Sequence, residues 1–194
     1  MQQRYQHLLT VISSQRFLQM QGLGNEVPFF ICPYSPKDAL EMAQMVGQLA
    51  RKLEQQSIHV LKIDLYDLAV EILHARDIWE RVLAVEQTTS KAELLELLQN
   101  VLDPERHLVP AIVRQMRQHS FDVMFISGVG EVFPYIRSHT LLNNLQSAAQ
   151  NHSTVLFFPG AYTQSLETGA SLDLFERLHD DKYYRAFNIY DFHV

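Results

Sequence analysis

The chain is poor in the residues that staple or sort proteins, and poor in positive charge. It has one cysteine, Cys32, so no internal disulfide can form and no second cysteine stands at a zinc-ligand spacing from it. Set in an apolar run that ends at a proline, Cys32 reads as a buried small side chain rather than a nucleophile. Lysine and arginine together number 16 against 22 aspartates and glutamates, a formal net charge of −6. Without a global basic footprint, nucleic-acid contact would have to come from a local patch, and direct DNA binding by the isolated chain is not expected. No segment approaches the roughly eighteen consecutive apolar residues a membrane span needs, and the start, Met1-Gln2-Gln3-Arg4-Tyr5-Gln6-His7, lacks the apolar run of a secretory signal. A soluble, cytoplasmic protein without membrane association is therefore expected. Also missing are internal repeats, low-complexity tracts and any proline-, glycine- or serine-rich linker. What remains, 194 residues of which 47% are hydrophobic and 20% charged, suits one compact domain over residues 1–194 with a substantial core.

Apolar runs and their punctuation set out the order of elements. Val27-Pro28-Phe29-Phe30-Ile31-Cys32 ends at Pro33 and fits a first strand with proline at its start or edge. Ser35-Pro36 then opens a helix, serine as cap and proline at the first helical position, with Leu40, Met42, Met45, Val46, Leu49 and Leu53 at helical spacing. Residues 58–65 alternate as a second strand, with His59 and Lys62 on its less buried side or end, and this β-helix-β order implies a parallel pair. Residues 67–119 form a helical block. Ser90-Lys91-Ala92-Glu93 has capping-box spacing before Leu94, Leu95, Leu97 and Leu98, and Asp103-Pro104 opens a helix carrying Leu108, Ile112 and Met116. The block is long for a crossover and reads as a helical insertion between the second and third strands, its leucine-rich faces turned to the sheet or, alternatively, to another protein.

The third strand is the run Phe121-Asp122-Val123-Met124-Phe125-Ile126-Ser127, which enters the turn Gly128-Val129-Gly130-Glu131. Ser138 caps a following helix with Leu141, Leu142 and Leu145 on one face. Thr154-Val155-Leu156-Phe157-Phe158 is the next strand, ended by Pro159-Gly160. A polar segment with Gly169 follows, and Tyr184-Arg185-Ala186-Phe187-Asn188-Ile189 alternates as a last strand. The fold class is α/β: three layers, a mostly parallel sheet of about five strands with flanking helices. It is P-loop-like or Rossmann-like without a phosphate-binding loop. The turn after the third strand has no lysine for outer phosphates and no adjacent hydroxyl for magnesium, and its Glu131 would repel a triphosphate. No cofactor is expected.

Ligands of parallel α/β sheets meet the carboxyl ends of the strands. Cys32-Pro33-Tyr34-Ser35, the Gly128 turn and Phe158-Pro159-Gly160-Ala161-Tyr162 would converge there. The candidate cleft accordingly comprises Ser127, Gly128, Gly130, Glu131, Arg137, His139, Pro159, Gly160 and Tyr162. Each has a structural alternative. Gly128 and Gly130 could serve only a tight turn, Glu131 could meet a helix N-terminus or pair with Arg137, and His139 would be a partly exposed polar residue. Ser127, His139 and Glu131 supply the residue types of a triad without a nucleophile-elbow pattern. His179-Asp180-Asp181, with Asp191 and His193, read as solvated turn residues rather than metal ligands, since consecutive side chains point apart. Tyr183-Tyr184-Arg185 suits a half-buried strand better than base stacking.

Four segments taken together resemble the BrxB family of BREX bacteriophage-exclusion systems. They are Phe17-Leu18-Gln19-Met20-Gln21-Gly22-Leu23-Gly24-Asn25-Glu26-Val27-Pro28-Phe29-Phe30-Ile31, Gly128-Val129-Gly130-Glu131-Val132-Phe133-Pro134-Tyr135-Ile136-Arg137-Ser138-His139, Phe157-Phe158-Pro159-Gly160 and Asp181-Lys182-Tyr183-Tyr184-Arg185-Ala186-Phe187. The resemblance runs from about Arg16 to the C-terminus. It implies a role in antiviral defence beside a site-specific adenine methyltransferase, a large ATPase and PglZ, with PglZ and other BREX proteins as partners. The family brings no catalytic residues to carry over. The function expected is a non-catalytic adaptor that binds PglZ and helps assemble the defence and methylation complex. The alternative is a nucleotide- or metal-dependent enzyme or sensor using the strand-end cleft, and a homo-oligomer stays open.

Overall fold

A computed structural model describes residues 2–21, 23, 28–165, 169–178 and 186–193. Helices α1 (Gln2–Ile12) and α2 (Gln15–Leu18) precede strand β1 (Phe29–Tyr34), and a 3-10 turn over Pro36–Asp38 leads into α3 (Ala39–Gln55). Strand β2 (Val60–Asp64) is followed by α4 (Leu65–Ala75), α5 (Trp79–Glu86) and α6 (Lys91–Val101), then a π-helical turn over Pro104–Leu108 and α7 (Val109–Gln118). Next come β3 (Val123–Ser127), the single turn α8 (Val129–Val132), α9 (Ser138–Ala149), β4 (Ser153–Ser165), β5 (Gly169–Leu174), β6 (Phe187–Asn188) and a 3-10 turn over Ile189–Asp191.

Five strands lie parallel in the order β2-β3-β4-β1-β6, and β5 pairs antiparallel with the far half of β4. Strand alternation sends successive side chains to opposite faces. Phe29, Ile31, Leu61, Ile63, Met124, Ile126, Leu156 and Phe158 meet α4 to α9 on one side, while Phe30, Cys32, Val123, Phe125, Val155 and Phe157 meet α1 to α3 on the other. The sheet is thus the middle of three layers, as the sequence implied. Each fully buried large side chain contributes about 1.5–3 kcal/mol, which explains why the central strands read as unbroken apolar runs. The edge strand β2 keeps Lys62 exposed, a charge that discourages pairing with another chain.

Several local expectations are revised. Pro159-Gly160 does not end β4: the strand runs on, pairing Gly160 with Leu174 and Ala161 with Asp173, so the polar segment around Gly169 is itself a strand. Pro33 sits inside β1, beyond the two residues at which β6 pairs, where its missing N–H breaks no ladder to that neighbour. Ser35 makes no side-chain cap because a 3-10 turn intervenes before α3, and Leu40, expected on that helix's apolar face, is 74% exposed. Ser138 is the first residue of α9 rather than its cap, which is Arg137. The helical block does lie between β2 and β3, and its capping box is closed: the Glu93 N–H donates to Ser90 Oγ at 3.3 Å and the Ser90 N–H to Glu93 Oε2 at 3.0 Å. Yet α6 fully buries none of its residues; Leu94, Leu97 and Leu98 are only half-buried. Of the last predicted strand, Phe187 and Asn188 pair with β1, and Tyr184-Arg185 lie outside the described residues. So do Gly22, Gly24, Val27 and the His179-Asp180-Asp181 group.

Cys32 is fully buried, its Sγ 3.4 Å from the Tyr190 hydroxyl, and burial pushes its pKa up to about 12. A thiol reagent should therefore fail to label the native protein at neutral pH and label it fully in denaturant. Rapid labelling of the native chain, followed by colorimetric thiol assay, would contradict this placement.

Candidate functional site

The carboxyl ends of β2 and β3 are tied together by Asp64. This residue ends β2 and caps α4: its Oδ1 accepts from the Tyr66 N–H at 3.0 Å and the Asp67 N–H at 3.2 Å. Its Oδ2 accepts from the Ser127 hydroxyl at 2.8 Å. Both oxygens are therefore engaged in holding the fold, and Ser127 is a donor to a cap rather than a free nucleophile. Gly128 follows at φ 77°, where a Cβ would stand 2.8 Å from Asp64 Oδ1 and 3.1 Å from the Leu65 nitrogen. The turn needs glycine twice over, for its left-handed backbone and for the carboxylate behind it. Gly130 is packed against Phe175 and Pro159, 3.1 and 3.2 Å from its virtual Cβ.

Glu131 is exposed beside this turn. Partial burial raises its pKa, and the nearby Asp64 and Asp67 carboxylates push in the same direction. Tyr34, at the end of β1, has its pKa raised to about 12 by burial first, then by Cys32 and Glu131. The mouth is thus acidic and fringed by tyrosines. A neighbouring cavity of about 320 Å³ continues the sign, with Asp64, Asp67 and Glu71 against Lys62 alone. Like charges there repel phosphate. Among the described residues no three His, Cys, Asp or Glu side chains are grouped to hold a metal ion.

The remaining predicted residues divide. Arg137 is exposed and makes no ion pair with Glu131; it lines a different cavity, of about 270 Å³, with Phe133, Phe158, Leu174 and Arg177. His139, expected to be partly exposed, is buried in the first turn of α9, because the helix turns that face to the core. Gly160 is pressed against the Asp173 carbonyl, and Tyr162 is buried with its hydroxyl donating to the Ala186 carbonyl at 2.6 Å. The structure therefore joins Ser127, Gly128, Gly130, Glu131 and Pro159 at one strand-end rim. Arg137 stands apart from that rim, and His139, Gly160 and Tyr162 lie within the packing.

Two features escaped the sequence reading. Asp64 appeared only as one polar position in an alternating strand, although Asp at a strand end before an apolar helical run is a cap signal. The other is a groove of about 670 Å³ between α4 and the segment formed by the π-turn and α7, which collects Arg76, Arg106, His107, Arg114 and His119. These residues are spread along the chain, and no local run of basic residues announces them.

A sequence-family model described as "BREX protein BrxB" matches residues 61–189. A BREX protein BrxB of Bacillus cereus (strain H3081.97) is 35% identical over 192 residues, covering 97% of this chain and 97% of that protein. A BREX protein BrxB of Escherichia coli O9:H4 (strain HS) is 25% identical over 186 residues, covering 96% of this chain and 90% of its own length. No solved structure matches significantly.

Proposed function

Because the chain belongs to the BrxB family and is a component of a BREX defence system, we propose that it acts there as a non-catalytic adaptor that binds PglZ and helps assemble the complex. The observation that carries this reading is the state of the strand-end rim. In a parallel α/β sheet that rim is the usual ligand site. Here Asp64 spends both carboxylate oxygens on a helix cap and on Ser127, and the Gly128 turn is packed directly against it. The carboxylates of Asp67 and Glu131 then make the mouth repulsive to phosphate. Surface rather than a reaction centre is what such a domain offers. The half-buried leucines of α6 supply apolar area of the kind that partners cover.

Gel filtration of the protein coexpressed with PglZ tests the proposal. Co-elution as a stable complex at micromolar concentration is expected, together with loss of phage protection when the complex is broken. Separate elution with protection intact would sink the adaptor reading.

A further inference from the structure

In a chain with more acidic than basic residues, the groove between α4 and the Pro104–Leu108 turn with α7 is an inversion of the general charge. Three arginines and two histidines line it, opposed by Glu71 alone. Arg76 is held by a hydrogen bond to the Val101 carbonyl, which fixes one wall. Arg106 and Arg114 are different. Both are exposed, and among the described residues neither guanidinium has a hydrogen bond or an ion pair. Asp103, three residues before Arg106, uses Oδ1 to accept from the Arg106 backbone N–H at 2.8 Å, so it caps the turn. His107 has its pKa lowered by burial and then by Arg76, a sign of the positive field at this wall. Beneath the basic rim the floor is apolar: Ile72 and Ala111 are buried, and Pro110 is exposed beside them.

We propose that this groove docks an acidic amphipathic segment of a partner protein, whose carboxylates pair with Arg106 and Arg114 while its aliphatic side chains lie along Ile72, Ala111 and Pro110. The guanidinium fork matches a carboxylate in two parallel hydrogen bonds, and an apolar floor takes every third or fourth residue of a helix. A single-stranded nucleic acid fits less well. No Phe, Tyr or Trp side chain lines the groove, and the imidazoles of His107 and His119 are its only aromatic rings, a smaller stacking surface than the platforms that hold unpaired bases. A concave surface also cannot enter a duplex groove as a helix or ribbon does. The inference deepens the adaptor reading and rests on it only for the partner's membership of the BREX complex.

The test is fluorescence anisotropy with a labelled helical peptide bearing leucines on one face and glutamates on the other. Controls are the same peptide with lysine for glutamate and a labelled single-stranded oligonucleotide. Binding of the acidic peptide, weakened by salt and at least about tenfold weaker in the Arg106→Glu/Arg114→Glu protein, is expected. If charge reversal disturbs the melting curve, Arg106→Gln/Arg114→Gln decides instead. Equal binding of the lysine peptide, unchanged affinity in the variants, preference for the oligonucleotide, or no binding at all would each overturn the proposal. Co-elution with PglZ separates this from the adaptor reading: a double variant that still co-elutes as tightly as wild type leaves the adaptor standing and removes the groove. A wild-type protein that fails to co-elute removes the adaptor, whatever the peptide does.

Discussion

Gly160→Ala is expected to destabilise the protein by about 3 kcal/mol or more, the upper end of what an added methyl costs in a closed site. The virtual Cβ at this position lies 2.1 Å from the Asp173 carbonyl oxygen and 2.9 Å from Phe158 Cε1. The first of these is backbone of the paired strand and cannot swing aside, since Ala161 and Asp173 are register partners. Relief requires β4 and β5 to separate, which breaks their ladder where Tyr162, Leu172 and Leu174 enter the core. Gly47→Ala is the internal control. That glycine lies within α3 with no atom within 4 Å of a virtual Cβ, so alanine should stabilise by about 0.5–1 kcal/mol. Urea unfolding of the two variants should move the midpoints in opposite directions. A Gly160→Ala midpoint equal to wild type would mean that β4 and β5 are not paired as described.

Gly128→Ala should cost about 2–3 kcal/mol, for two separable reasons. A left-handed residue with a side chain costs about 1–2 kcal/mol by itself. The added Cβ also meets Asp64 Oδ1 at 2.8 Å, and that carboxylate is anchored by the Tyr66 and Asp67 N–H groups and by Ser127. A double-mutant cycle separates them. Asp64→Ala alone should lose about 1–2 kcal/mol as a helix cap. The double variant should then be less destabilised than the sum of the two by about 1 kcal/mol, because the clash has gone while the backbone strain and the 3.1 Å approach to the Leu65 nitrogen remain. Strict additivity in denaturant unfolding would show that Gly128 and Asp64 do not touch. Phage protection measured in parallel asks whether this rim matters beyond stability; loss out of proportion to the unfolding shift would point to a contact with a partner.

The class of fold was legible in the residues because its physical cause is local. Strands buried on both faces must be apolar throughout, and the segments Phe29–Tyr34 and Val123–Ser127 announce this without reference to anything else. Helix spacing in α3 and the Ser90–Glu93 capping box are likewise one-turn signals. The lack of a lysine after Gly128 was equally plain. Neighbour order was not. Nothing along the chain says that β1 inserts between β4 and β6, since strand pairing joins segments far apart in sequence. The continuation of β4 past Pro159-Gly160 was hidden for the same reason: a local rule reads that pair as a stop, and only the arrival of Asp173 against a residue without a Cβ turns it into a pairing site. His139 looked exposed because it is polar, and its burial was decided by which face of α9 meets the sheet. The sequence by itself determined the layers, the runs that fill them and the absence of a lysine from the turn after the third strand. Tertiary structure alone decided that Asp64 is spent on a cap and that Arg76, Arg106 and Arg114 stand around one groove, because both depend on elements distant in the chain being packed side by side.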